Sequence, residues 1–179
     1  MAIAVAYKLV STGHKDRISG LIVMSGMFLH PDAVPDEYTD LHRSYVDNGG
    51  QVPVVTGKDM LAAYEHIVGA VGTKNLNWFP ATGGAKAVAG FPPVYITNSD
   101  GEACRDDGAV LAAELKDAGV VVKRDNMLAL PHYYWCFPVQ KAGGIFRQTL
   151  IDGIRWWFLF FSPLTPITSK RYEKTLKTM

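Results

Sequence analysis

The chain has 179 residues, of which 48% are hydrophobic and 20% are charged. This length suits one domain of the usual size, roughly 100 to 200 residues, and the apolar content excludes a disordered or collagen-like chain. The formal net charge is +1, from 18 Lys and Arg against 17 Asp and Glu. The overall charge therefore favours neither nucleic acid nor an anionic membrane as a partner.

The cysteine content and the two ends of the sequence indicate the cellular compartment in which the protein is expected. Cys104 and Cys136 are too few for a disulfide framework, and no zinc-type spacing surrounds them. The apolar start lacks the basic segment and the cleavage site of a signal peptide. The apolar run at residues 156–161 is far shorter than the roughly 20 residues of a membrane span. We expect a soluble, cytoplasmic protein.

The first half of the chain predicts two regular elements and then an irregular stretch. Residues 2–10 are typical of a helix, and Gly13 follows as its C-terminal stop. The apolar run at residues 21–25 suits a parallel strand that is covered on both faces. Prolines and paired glycines interrupt residues 27–90, where one helix is predicted around residues 58–68. We interpret this stretch as an insertion or lid.

The second half is regular. Residues 94–99 and 120–125 are predicted strands. The helix between them begins near Asp106, which can cap it or place a negative charge at its N-terminus, and ends at Gly119. The rule that such crossovers are right-handed makes the two strands parallel neighbours. A last helix is predicted over residues 140–161, where aromatic and aliphatic residues repeat at helical spacing.

Two polar segments follow the predicted strands of this unit. Ligand sites in open parallel sheets form beyond the carboxyl ends of the strands, which is where residues 99–108 and 129–135 fall. Adjacent strands are about 4.8 Å apart, so a carboxylate of the first segment can reach His132 in the second. Such a carboxylate orients the imidazole and leaves its other nitrogen available as a general base. The same pattern also fits a structural histidine and acidic residues that serve a helix terminus.

Taken together, the two segments resemble a known family. The stretch FPPVYITNSDGEACRDDGAVLAAELKDAGV and the loop ALPHYYWCFP are similar to the C-terminal half of the alpha/beta-hydrolase fold, in its hormone-sensitive-lipase-like esterase family. The fungal branch that includes versiconal hemiacetal acetate esterases is the nearest likeness. In this family a DPLRDEG-type motif supplies the acid of a catalytic triad, and a PHxF-type loop supplies the histidine.

The resemblance implies which residues form the acid–histidine pair. Aligned on EACRDDG, the acid position falls on Glu102, and His132 lies 30 residues further on. The chain departs from the common motif, with Glu for Asp and with Ala103 and Cys104 for Pro and Leu. Glu can serve as a triad acid, and Asp100, two residues away, is the alternative.

Other side chains near these motifs have weaker assignments. Tyr133 and Tyr134 are expected to line the substrate pocket, whereas Trp135 and Phe137 are expected in the core. Cys104 is interpreted as packing in place of an apolar residue rather than as a nucleophile. No metal or organic cofactor is implied. Four histidines show no metal-ligand spacing and are expected at surface or lid positions: His14, His30, His42 and His66.

The nucleophile of the family is missing from the sequence. It is a serine in a GxSxG turn, and none of the 179 residues forms that motif: neither Ser25 nor Ser99 has a glycine two residues before it. The HGGG-type oxyanion loop is absent as well, and the family's chain order places these parts upstream of residue 1. We therefore expect residues 1–161 to be the C-terminal portion of a hydrolase domain, followed by a polar tail at 162–179.

The resemblance implies a carboxylic-ester hydrolase with a serine-hydrolase mechanism and a small-molecule ester substrate. This chain would hold the acid and the histidine, and alone it is expected to be inactive. The expected fold is α/β, with about three parallel strands, flanking helices and a lid-like insertion. The strand at 21–25 would expose an apolar edge, which favours self-association. The alternative is a noncatalytic or degenerate binding protein on the same framework.

Overall fold

In the computed structural model, helices cover a small parallel sheet. The structure describes residues 2–50, 52–68, 83–138 and 140–161; the predicted tail at 162–179 lies outside them. None of the helices in these ranges has the length and apolar character needed to cross a membrane. The elements in chain order are α1 (Ala2–Ser11), β1 (Leu21–Met24), α2 (Ser44–Asp47), α3 (Gly57–Val68), α4 (Ala85–Val88), β2 (Val94–Gly101), α5 (Arg105–Asp117), β3 (Val122–Pro131) and α6 (Gln140–Phe161).

The three strands form one sheet in the order β1-β2-β3, and both pairings are parallel. Ile96 in the central strand pairs with Val23 on one side and with Arg124 on the other. The prediction of three parallel strands is confirmed. The third strand begins at Val122 and continues to Pro131, so the segment predicted as a loop at 129–135 starts inside it.

Side chains of β2 alternate between two covered faces, which explains why this strand reads as one apolar run. Val94 and Ile96 join α1 and α5 in the main core, where they pack with residues such as Leu111. Tyr95 contacts α6 instead, and a Cβ at Gly153 would overlap its ring. Glycine at this position therefore allows α6 to approach the sheet closely.

Asp106, at the start of α5, ties the insertion to the sheet. Its carboxylate accepts hydrogen bonds from the N–H groups of Arg43 (2.9 Å) and Ser44 (2.7 Å). Burial alone would raise the pKa of Asp106, but Arg105 and these donors lower it below its usual value. Of the two roles predicted for Asp106, a negative charge in the first turn of α5 is confirmed, whereas the cap is not, because Cys104 occupies the N-cap position without a side-chain hydrogen bond. The carboxylate instead satisfies N–H groups that begin α2.

Asp107 holds a second part of the insertion. Its carboxylate accepts hydrogen bonds from the Phe28 N–H (2.9 Å), the Tyr64 hydroxyl (2.9 Å) and Nε2 of His42 (2.7 Å). Burial raises the pKa of Asp107, although these donors oppose the shift. Surface or lid positions were predicted for His30 and His42. Both belong to the stretch predicted as a lid, but neither is at the surface, since His30 is buried and the imidazole of His42 is 2% exposed. An aspartate buried beneath the insertion needs such donors.

The buried carboxylate of Glu114, in α5, is expected to make the free energy of unfolding depend on pH. Its carboxylate is buried without a hydrogen-bond partner among the described residues. Burial, followed by the charges of Glu37 and Asp117, raises its pKa from 4.5 to about 8. The folded protein therefore keeps a proton that the unfolded chain loses between these values, so the free energy of unfolding falls as the pH rises across that window.

We expect Glu114→Gln to remove this slope and to increase stability at about pH 8 by at least about 1 kcal/mol, because folding no longer has to return a proton to this side chain. Urea unfolding at several pH values between about 5 and 8 measures it. Glu65→Gln, on the exposed face of α3, is the matched control and should leave the slope unchanged. Equal slopes for Glu114→Gln and the unsubstituted protein would contradict the assignment.

Candidate active site

Glu102 lies directly beyond the end of β2 and is fully buried. Its Oε1 accepts hydrogen bonds from the N–H of Ser99 and from the side-chain amide of Asn98, both at 2.9 Å. Donors three and four residues earlier in the chain thus hold one carboxylate oxygen in the turn that ends the strand. The orientation of the other oxygen, Oε2, is fixed as a result.

His132 directly follows β3, and its Nδ1 lies 2.8 Å from Oε2 of Glu102. The histidine is 3% exposed. Because an ionised carboxylate can only accept, Nδ1 of His132 carries the proton and donates it. Nε2 forms no hydrogen bond with any residue in the described ranges. The pair therefore has the arrangement in which an acid orients an imidazole and leaves the opposite nitrogen available as a base.

An irregularity in the pairing of β2 and β3 brings these two residues together. Ser99 pairs with Met127, but Gly101, two residues later, pairs with Pro131. The extra residues in β3 form a bulge, and Ala129 within it has φ +56°. In an uninterrupted register Gly101 would face Ala129, which would leave His132 beyond the acid turn. The bulge is a feature that the sequence analysis missed.

Asp100, the alternative acid, has a different environment. Its side chain is 46% exposed, and its carboxylate lies 3.8 Å from a guanidinium nitrogen of Arg105. No hydrogen bond joins Asp100 to His132 within the part of the chain that the structure describes. The geometry thus brings Glu102, and not Asp100, to the imidazole.

Residues outside the predicted pair fix the acid turn. Nε of Arg124 donates to the side-chain oxygen of Asn98 (3.3 Å), which orients the amide so that its NH₂ group faces Glu102. A Cβ at Gly108 would overlap that same oxygen. Asn48 donates to the carbonyl oxygen of Glu102 (3.1 Å). Asn98 and Gly108 lie inside the recognised motif, whereas Arg124 and Asn48 carry no local signal.

The aromatic residues after His132 lie partly where they were expected. Tyr133, which is 43% exposed, has its ring centroid 3.9 Å from that of the imidazole. Tyr134 is buried, and Trp135 stacks on an aromatic ring of α6. The expectation that Phe137 lies in the core is wrong, because it is 38% exposed. The short 3₁₀ turn over Tyr134–Cys136 ends before Phe137, whose backbone is extended.

The thiol of Cys104 lies close to His132 of the acid–histidine pair. Its Sγ lies 3.9 Å from Nδ1 of His132 and 3.8 Å from the carbonyl oxygen of Ser25. Burial raises the pKa of the Cys104 thiol well above its usual value, and the charge of Glu102 adds to this, so the thiolate needed for nucleophilic attack is disfavoured. The hydroxyls of Ser25 and Ser99 are buried without a partner among the described residues, and neither is bonded to the imidazole.

We expect Glu102→Gln to remove the charged acceptor of the Nδ1 proton of His132. The strongly downfield imidazole proton that such a bond produces in the ¹H NMR spectrum should disappear, and the free energy of unfolding should fall by about 2 kcal/mol. Asp100→Asn is the matched control, since that side chain is half exposed. Loss of the resonance in Asp100→Asn and its retention in Glu102→Gln would reverse the pairing.

Comparison with known sequences agrees with this geometry. A family model described as alpha/beta hydrolase fold matches residues 1–136. The versiconal hemiacetal acetate esterase of Dothistroma septosporum is 30% identical over 142 residues, which are 79% of this chain and 42% of that protein. The chain therefore spans less than half the length of this curated relative.

Solved structures show the same fold. Vibralactone cyclase superposes with a TM-score of 0.76 at 21% identity, over 87% of this chain and 45% of that one. Brefeldin A esterase, described as a bacterial homologue of human hormone-sensitive lipase, superposes with a TM-score of 0.61 at 22% identity, over 86% of this chain and 40% of that one. With more than half of its residues matched by the family model, the chain belongs to the alpha/beta-hydrolase fold family.

Proposed function

We propose that this chain provides the acid and the base of a carboxylic-ester hydrolase. The observation that carries the proposal is the buried hydrogen bond of 2.8 Å between Glu102 and Nδ1 of His132, at the ends of two adjacent parallel strands. Ligand sites of open α/β sheets occur at this edge. An acid–histidine pair is also the part of a serine hydrolase that can be assembled without its nucleophile.

Each residue has a defined chemical role in this proposal. Nε2 of His132 takes the proton of a serine hydroxyl as its oxygen attacks the ester carbonyl carbon, and then gives that proton to the leaving alcohol. Water repeats the cycle on the acyl-enzyme. Glu102 stays ionised and stabilises the imidazolium. The serine and the oxyanion N–H groups would come from a GxSxG segment and a glycine-rich loop that are not among the 179 residues.

The substrate class follows from the surroundings of the imidazole and from the relatives. The exposed ring of Tyr133 beside His132 offers an apolar wall for one side of a small ester. The name of the Dothistroma relative makes acetate esters the first class to test. The proposed chemistry requires no metal and no organic cofactor.

The first expected outcome concerns the chain alone. Purified protein should hydrolyse p-nitrophenyl acetate no faster than its His132→Ala variant, and a fluorophosphonate probe should not label it, because the pair has no serine to activate. The same assay with an intact esterase of the family is the positive control. Turnover by the chain that His132→Ala abolishes would show that a nucleophile is present after all.

The second outcome concerns restored activity. The segment that precedes the matched region in the Dothistroma esterase is joined to residue 2 and the chimera is assayed on p-nitrophenyl acetate. We expect hydrolysis that falls roughly 10⁴-fold in Glu102→Gln and at least as far in His132→Ala, with Asp100→Asn nearly unchanged. A folded chimera without activity, or with activity indifferent to both substitutions, would favour a noncatalytic binding protein on the same framework.

We also propose self-association through β1. In the described residues this strand has a partner on one side only, and its side chains Ile22 and Met24 are 40% and 36% exposed. An apolar strand edge of this kind promotes pairing between chains. Replacing both residues by Lys should shift the protein towards monomer in sedimentation velocity experiments, while Lys at the exposed helical position Val5 should not.

A cytoplasmic location is part of the same proposal. Cys104 and Cys136 are both unpaired thiols, which suits a reducing compartment. Fluorescence microscopy of the tagged full-length product is the direct test.

A further inference from the structure

A carboxylate, a thiol and an imidazole, three side-chain groups that bind metal ions, lie close together beyond the carboxyl ends of β2 and β3. The carboxylate of Glu102, the thiol of Cys104 and the imidazole of His132 each offer one atom, and these atoms all lie within 4.8 Å of one another. Glu102 and Cys104 are 0% exposed, and His132 is 3% exposed. Buried ligand groups of three kinds around one point differ from the acidic clusters that are common on protein surfaces.

The spacing fits a tetrahedral ion. Ligand bonds of about 2.3 Å to sulfur and 2.0–2.1 Å to nitrogen place the two ligand atoms about 3.6 Å apart, and Sγ of Cys104 lies 3.9 Å from Nδ1 of His132. Oxygen and nitrogen ligands require about 3.4 Å, whereas Oε2 of Glu102 is 2.8 Å from Nδ1. An ion that replaces the proton between them needs an outward shift of only about half an ångström.

In metal sites, neighbouring groups orient the ligand side chains by hydrogen bonds, and Glu102 has such neighbours. The other oxygen of Glu102 accepts hydrogen bonds from Asn98 and Ser99, which is how ligating carboxylates are oriented. The carbonyl oxygen of Ser25 lies 3.8 Å from Sγ of Cys104, and a water molecule would supply the fourth ligand of a tetrahedral ion. Cys104 stands where the esterase motif has leucine, so the thiol is a feature of this chain rather than of the triad.

We propose that Glu102, Cys104 and His132 form a binding site for a divalent cation of the zinc class. Binding replaces the S–H bond of Cys104 by a metal–sulfur bond and releases that proton to solvent. The proton on Nδ1 of His132 moves to Nε2 as Nδ1 binds the ion, so the imidazole stays neutral. The carboxylate of Glu102 exchanges its hydrogen bond with the imidazole for a bond to the metal.

This site goes beyond the proposed hydrolase and would act on it. With the metal bound, Nε2 of His132 carries a proton and cannot accept one from a serine. The ion would therefore block the base without touching the nucleophile. The binding itself does not depend on ester hydrolysis, so its test can succeed or fail independently of the proposed function.

The test uses cadmium as the probe, because thiolate binding to Cd²⁺ gives an ultraviolet charge-transfer band. The exposed thiol of Cys136 is first removed by Cys136→Ser, and this variant serves as the reference. We expect it to bind one Cd²⁺ per chain with the band, and Zn²⁺ to displace the cadmium. Cys104→Ser on this background should lack the band, and His132→Asn should bind at least about tenfold more weakly.

A second measurement needs no substitution at the proposed ligands, so it does not depend on whether the ligand variants fold. In the Cys136→Ser protein, the downfield proton of His132 Nδ1 should vanish from the ¹H NMR spectrum as Cd²⁺ or Zn²⁺ is added, because the ion takes its place. Persistence of that resonance at saturating metal would overturn the proposal. So would a cadmium band of unchanged strength in a folded Cys104→Ser variant, or unchanged affinity in folded His132→Asn.

Discussion

The burial of one carboxylate governs the arrangement of this protein's candidate site. Removing an ionised carboxylate from water costs several kcal/mol unless hydrogen bonds replace its hydration. Glu102 receives three: from the Ser99 N–H, the Asn98 amide and Nδ1 of His132. The histidine is therefore part of what makes the buried acid tolerable, and the acid in turn determines which imidazole nitrogen faces outward.

Residues around Glu102 orient the groups that donate hydrogen bonds to its carboxylate. Asn98 can donate to Glu102 only while its oxygen faces away, and the guanidinium of Arg124 holds it there. Glycine at position 108 leaves room for this oxygen, since a Cβ there would overlap it. The β-bulge opposite then places His132 beside the acid. The β-bulge and the polar contacts of Asn98 and Arg124 thus position the hydrogen bond between Glu102 and His132.

The start of α5 joins this site to the insertion. Asp106 and Asp107 follow the acid turn directly, and each satisfies N–H groups from different parts of residues 27–68. Cys104 lies between the acid and these two aspartates; it packs in an apolar cluster with Met60, as the sequence suggested, and its thiol also lies 3.9 Å from Nδ1 of the imidazole. One short segment therefore orients the histidine, anchors the covering region and supplies the third ligand type of the proposed cation site.

The sequence by itself determined the order of strands and helices in the second half of the chain, because apolar periodicity and the EACRDDG and PHYYW motifs are local signals. It also identified Glu102 and His132 as a pair through the resemblance, although it left Asp100 open. Local signals were insufficient where the outcome depended on neighbours distant in the chain: they left open whether Asp106 caps α5 and whether His42 lies at the surface, and they placed Phe137 wrongly in the core.

Only the tertiary structure decided the register shift between β2 and β3, the support of Asn98 by Arg124 and the approach of Cys104 to the imidazole. These features join residues that are 26 to 30 positions apart in the chain. Such contacts depend on how the strands pair and how α5 packs on them, and no local periodicity encodes the distance between two side chains on different elements.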